Sequence, residues 1–114
     1  MSDAMEQQVP GLTRTDLQRQ DLSVPGREVI QNRVGISPDA PPIRHLHPGE
    51  EIIYVLEGTL EYEIEGELRT VQAGQALTVP AEAVHSVKNV GDGDAAELAT
   101  YVVEKGKPLI TLAE

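Results

Sequence analysis

LEYEIEG, residues 60–66, alternates without a break. Leu60, Tyr62 and Ile64 fall on one side and Glu61, Glu63 and Glu65 on the other, the period of a half-buried antiparallel strand. Glu65-Gly66 makes a tight turn into ELRTV (67–71), so the stretch reads as a hairpin. The same punctuation continues outward in both directions. IIYVL (52–56) is broken by Glu57-Gly58, QALTV (75–79) runs from Ala73-Gly74 to Pro80, and HSVKNV (85–90) stops at GDGD (91–94). REVIQNRVGI (27–36) follows the SVPG turn (23–26) and precedes SPDAPP (37–42), whose three prolines make it a loop. AAELATYVVEK (95–105) has the alanine content of a helix, but its β-branched TYVV favours a strand. Turn signals about every 8–12 residues predict an all-β sandwich or barrel.

A chain of 114 residues is one domain by length. It has no Cys, Trp or Phe, so disulfides, thiolate ligands and cysteine nucleophiles are excluded and the core must come from Val, Ile, Leu and Ala. A net charge of −10 repels nucleic-acid backbones and anionic membrane surfaces, so neither is an expected partner. No basic stretch followed by an apolar run opens the sequence, and IIYVL is far too short to cross a bilayer; the expected location is cytoplasmic. Residues 1–22 read as a polar N-terminal arm that orders only by docking, with Thr13 or Thr15 capping a short helical turn through Leu17. Residues 23–114 are the expected barrel.

The chain has three histidines, and two of them, His45 and His47, stand one residue apart. Residues i and i+2 of a strand share a face, so these imidazoles point the same way, and Glu51 resumes that side after the PGE turn. A neighbouring strand can supply His85. Nitrogen and oxygen donors in this combination suit a first-row divalent metal such as Fe, Mn, Ni, Cu or Zn and leave coordination positions open. Taken singly, each residue has a plainer explanation, as a hydrogen-bonded histidine or a solvated glutamate.

Together their spacing resembles the cupin family. HLHPGEEIIYVLEG sets His45, His47, Glu51 and Gly58 at the steps of the first cupin motif, and GQALTVPAEAVHSVKN sets Gly74, Pro80, His85 and Asn89 at those of the second. The resemblance spans roughly residues 27–105. Two motif glycines are replaced, by Asp39 and Glu82. Glu82 would be strained if position 82 needs a positive φ, so the loop is expected to take another path.

The resemblance implies an antiparallel jelly-roll β-barrel holding one divalent transition metal ion per chain on His45, His47, Glu51 and His85. It implies a core of Ile53, Val55, Leu60, Tyr62, Ile64, Leu77, Val79 and Val87. Gln31, Arg33, Tyr62 and Gln75 are then candidates for contacting a small-molecule ligand. Ile52, Tyr54 and Leu56 would face outward, covered either by the N-terminal arm or by a second copy in a homodimer. The expected function is a metal-dependent enzyme, a dioxygenase or a lyase or isomerase, in which Glu51 can also move a proton. No second acid–base pair stands out in the sequence, which favours chemistry run by the metal itself. The alternatives are a non-catalytic module that binds a small ligand or metal, and metal-free sugar epimerase chemistry, which the intact ligand set disfavours.

Overall fold

The computed structural model describes residues 9–113. Residues 1–8 of the expected arm, and Glu114, lie outside the described residues. Ten strands are present among the described residues: β1 (Leu12–Asp21), β2 (Arg27–Ile36), β3 (His45–Leu46), β4 (Gly49–Glu57), β5 (Thr59–Ile64), β6 (Glu67–Gln72), β7 (Ala76–Val79), β8 (His85–Asn89), β9 (Ala95–Glu104) and β10 (Thr111–Leu112). They form two five-stranded antiparallel sheets, ordered β1-β2-β9-β4-β7 and β10-β3-β8-β5-β6. The expected all-β jelly roll is therefore the observed architecture. No helix is long and apolar enough to cross a membrane.

The alternation seen at residues 60–66 is realised in β5, where Leu60 and Tyr62 are buried and Glu63 is exposed. Strand β4 does the same with Glu51, Ile53 and Val55 inside and Ile52, Tyr54 and Leu56 outside. Ile53, Val55, Leu60, Tyr62, Val71 and Val79 meet Val34 and Ile36 of β2 between the sheets, with Ile64, Leu77 and Val87 packed at the edge. Each such aliphatic side chain contributes about 1.5–3 kcal/mol on leaving water.

Residues 12–21 form a strand, not the expected helical turn. Strand β1 pairs with β2 from Leu12↔Ile36 to Asp21↔Glu28, with a bulge between Asp16 and Gln18. Most of its side chains are exposed, so backbone pairing rather than apolar patterning holds it there. This strand extends the edge of the sheet and leaves the outer face of β4 open, with Ile52, Tyr54 and Leu56 at 44%, 45% and 40% exposure.

Two turns position the site. Gly49 opens β4 where a Cβ would lie 2.0 Å from the Val102 carbonyl oxygen, so only glycine lets β4 approach β9 there. Glu82 does adopt a positive φ, 62°, and the expectation of another loop path was wrong. The left-handed turn aims the Glu82 N–H at the His47 carbonyl, 3.0 Å away, and that bond holds a conformation glycine would reach without strain. Asp39, at the other replaced glycine, takes no positive φ.

Candidate metal centre

The four residues singled out for a metal come together at one end of the sandwich. His45 on β3 pairs directly with His85 on β8. His47 follows β3, and Glu51 enters on β4 from the opposite sheet. The three imidazole centroids lie 4.3–5.0 Å apart. One ring nitrogen from each histidine lies within 4.8 Å of the others, so one ion would draw them inward by up to about 0.8 Å each to reach the usual ~2.1 Å bond. His47, Glu51 and His85 are buried and His45 is half-buried.

Every imidazole is tethered through Nδ1 to a backbone carbonyl. His45 donates to Ile43 at 2.7 Å, His47 to Leu109 at 2.8 Å and His85 to Ala83 at 3.0 Å. A carbonyl can only accept, so each Nδ1 carries the hydrogen and each neutral ring keeps its lone pair on Nε2. Outer hydrogen bonds of this kind orient histidines that ligate metals. Glu51 Oε1 lies 3.1 Å from Nε2 of both His47 and His85. With His85 this is a hydrogen bond, whereas the buried His47 Nε2 has no hydrogen-bond partner. An orphaned buried nitrogen beside a carboxylate is what a cation at this point would satisfy, so the donor set fits a divalent metal ion.

The electrostatics agree. Burial, together with the His85 and His47 charges, lowers the His45 pKa to about 4. Burial opposes ionisation of both Glu51 and His85, yet each stabilises the other. Glu51, also helped by His47, is held well below the usual carboxylate range, and His85 is raised above the usual imidazole range.

A cavity of about 70 Å³ opens onto His45, Glu51 and His85. It also receives Tyr62 from β5 and Glu97 and Tyr101 from β9. Of the four residues expected to contact a ligand, the cavity takes in Tyr62 alone. Gln31 and Arg33 alternate to the outer face of β2, where Gln31 bonds Thr100 and Arg33 pairs with Glu57 at 3.1 Å. Gln75 is exposed in the turn before β7, its side chain capping the Gln72 N–H. The motif residue Asn89 is structural: it donates to the Ile36 and Gly93 carbonyls and accepts from the Gly91 N–H.

Glu97 and Tyr101 were not anticipated. Tyr101 stands edge-on to His47, with centroids 4.7 Å apart. Glu97 is 4% exposed and accepts a short hydrogen bond from the Tyr62 hydroxyl. Burial, reinforced by the Glu51 charge, pushes its pKa up to about 8 against the pull of that bond. A second buried acid with a phenol partner therefore does exist, contrary to the sequence reading. Counting back by twos along β9 from Val103 and Tyr101 would have put Glu97 on the inner face. A wider groove of about 450 Å³ lies over β1 and β2, where Arg19 pairs with Glu28 at 2.8 Å and the lining also includes Arg14, Asp16 and Asn32.

Comparison with known proteins follows the same lines. The model of the Cupin domain family matches residues 32–110. A polyketide synthase, CurC of Streptomyces cyaneus, is 44% identical over 52 residues, 45% of this chain and 34% of that protein. Protein SchB of Streptomyces halstedii is 35% identical over 52 residues, 45% of this chain and 38% of that protein. The chain thus spans little more than a third of the curated relatives it matches. Among solved structures, oxalate oxidase in complex with the substrate analogue glycolate superposes with a TM-score of 0.68 and 28% identity, over 90% of this chain and 55% of that one. The polyketide cyclase RemF of Streptomyces resistomycificus superposes with a TM-score of 0.70 over 100% of this chain and 86% of that one; at 20% identity it is a likeness of fold.

Proposed function

Because the chain belongs to the Cupin domain family, we propose that it is a metal-dependent enzyme acting on a small carbonyl-bearing molecule, with one divalent transition ion held by His45, His47, Glu51 and His85. The observation that carries this reading is the tethering of all three imidazoles through Nδ1, which leaves Nε2 of each ring as the ligating atom, with Nε2 of His47 and of His85 both 3.1 Å from one Glu51 oxygen. When bound, such an ion would supply a Lewis acid that polarises a carbonyl oxygen. The chain itself supplies the rest. Ile53, Val34 and Val87 wall the cavity and keep water from the reacting atoms, and Glu51 balances the cationic charge. Likeness to a protein named as a polyketide synthase supports a substrate with ketone groups. The second reading, O2 chemistry of a dioxygenase or oxidase kind, draws on the likeness to oxalate oxidase. Glu97 and Tyr62 favour the first, because they add a proton-carrying pair that metal-run oxidation does not call for. A non-catalytic binding module remains the alternative to both.

The open outer face of β4, with Ile52, Tyr54 and Leu56 uncovered by the described part of the arm, supports a homodimer through that face. Tyr54→Glu should shift the protein toward monomer in sedimentation velocity; an unchanged profile would remove the dimer.

Elemental analysis of protein purified without chelators tests the central reading. About one equivalent of a transition metal per chain is expected, with His47→Ala folded but losing roughly 100-fold or more in metal affinity. A chain that takes up no metal on reconstitution would leave the binding module in its place. Oxygen consumption by the loaded protein would move the assignment to the oxidative reading.

A further inference from the structure

We propose that Glu97, held by Tyr62, is a proton-transfer residue that works on a carbonyl substrate whose oxygen lies at the histidine cluster. The inference rests on the metal-dependent reading above. It starts from register. Strands β4 and β9 pair Glu51 with Tyr101, Ile53 with Ala99 and Val55 with Glu97. Glu97 therefore stands two pleats along from Glu51, roughly 13 Å at the backbone, while both side chains line one cavity. Ala99, between them on the inward face, ends at Cβ and leaves the middle of the wall low. Tyr62 reaches across from the other sheet to give its hydroxyl hydrogen bond to Glu97 Oε1.

Packing does not account for this carboxyl. An apolar side chain of similar size would be as stable or more so at a site 4% exposed. The cavity, about 70 Å³ against roughly 30 Å³ for a water, admits only a two- or three-carbon part of a ligand between Glu97 and the histidines. The remainder would leave past Val9, Pro41 and Ile43. These line the same cavity, and Pro41 is exposed, so the cavity reaches the surface there. The titratable groups sharing it with Glu97 are His45, Glu51, Tyr62, His85 and Tyr101. Burial keeps Glu97 an acid whose two forms are both within reach near neutral pH.

The step is redox-neutral. The Glu97 carboxylate takes the proton from the carbon beside the first carbonyl, and the C–H electron pair becomes a new C–C bond to a second carbonyl carbon. The π pair of that second carbonyl then takes the proton from Glu97 to become an O–H bond, which returns Glu97 to its carboxylate, and no oxidant or reductant is consumed.

The probe is methyl 2-methylacetoacetate, whose C2 hydrogen exchanges with deuterium and is followed by proton NMR with the metal-loaded full chain. Wild type should accelerate exchange. Glu97→Gln should lower the saturated rate by about 100-fold or more, with half-saturation and metal content little changed. Tyr62→Phe should move the pH profile of exchange upward, since the carboxylate loses a donor; a purely structural role would not move it. The carboxylic-acid C=O stretch in the infrared should be present in wild type and lost in Glu97→Gln. Exchange by Glu97→Gln as fast as wild type, a metal-loaded wild type that does not accelerate exchange, or a wild type lacking that band would each overturn the inference and leave the metal reading standing. A wild type that binds no metal fails at the earlier step and takes both readings with it.

Discussion

Glu51 and Glu97 are the same residue type, on neighbouring strands of one sheet, 3% and 4% exposed, and they are held in opposite charge states. Glu51 lies 3.1 Å from two imidazole nitrogens and stays ionised. Glu97 has a phenol for its neighbour and keeps its proton up to about pH 8. Burial is therefore not what distinguishes them. Cationic partners are worth more than a neutral hydrogen bond at a desolvated carboxylate, and that difference splits two like groups into a charged anchor and a neutral acid.

The largest expected effect comes from breaking the frame that sets the two glutamates in register. Gly49→Ala puts a Cβ 2.0 Å from the Val102 oxygen and 2.7 Å from Val103 Cα, which only a backbone shift of β4 against β9 can relieve. We expect a loss of about 3 kcal/mol or more in urea unfolding, together with reduced metal content, because Glu51 follows two residues later. A variant as stable as wild type would mean that the two strands are not held as tightly as their contact implies.

A smaller effect sharpens the contrast in the metal-free chain. The folded pKa of Glu97 is raised above its unfolded value, so between about pH 4.5 and 8 the folded state binds the extra proton and stability falls as pH rises, on the order of 5 kcal/mol in total. Glu51 and His45 are shifted the other way: their contribution is present at neutral pH and falls away as acid protonates them, His45 over about pH 6.5 to 4. Denaturation midpoints from pH 4 to 9 should thus trace a dome, and Glu97→Gln should make its alkaline limb shallower, leaving the part contributed by His85, which is also raised on folding. Loss of the acid limb instead would exchange the roles assigned to the two carboxyls.

The smallest effect lies in the loop that supports His85. Glu82→Gly relieves a left-handed backbone while keeping the N–H that bonds the His47 carbonyl. We expect a gain of about 1 kcal/mol in unfolding free energy with metal affinity unchanged. A destabilised variant would show that the Glu82 side chain itself stabilises the loop.

What the sequence made legible follows from periodicity and spacing. The alternation of Leu60, Tyr62 and Ile64, and the i, i+2 step from His45 to His47, each depend on a single strand, so the strand pattern and the histidine cluster could be read from the chain. Strand β1 could not, because Thr13–Asp21 carries almost no apolar alternation and is ordered by pairing with β2. Gln31 and Arg33 were set on the wrong face because a lone strand does not say which side faces in; Val34 and Ile36, both buried, fix it. Glu97 was missed because AAELA carries apolar residues on both faces, so only the count by twos back from Val103 and Tyr101, both buried, marks its inward face.

The carbonyl that fixes the tautomer of His47 belongs to Leu109, 62 positions further along, and β9 is the strand that joins β2 to β4. During synthesis from the N-terminus, His45, His47, Glu51 and His85 all emerge before either support exists. His45 and His85 carry their tethering carbonyls with them, two residues away, but His47 has none until Leu109 follows. The complete, oriented donor set is therefore a property of the finished barrel and not of the growing chain.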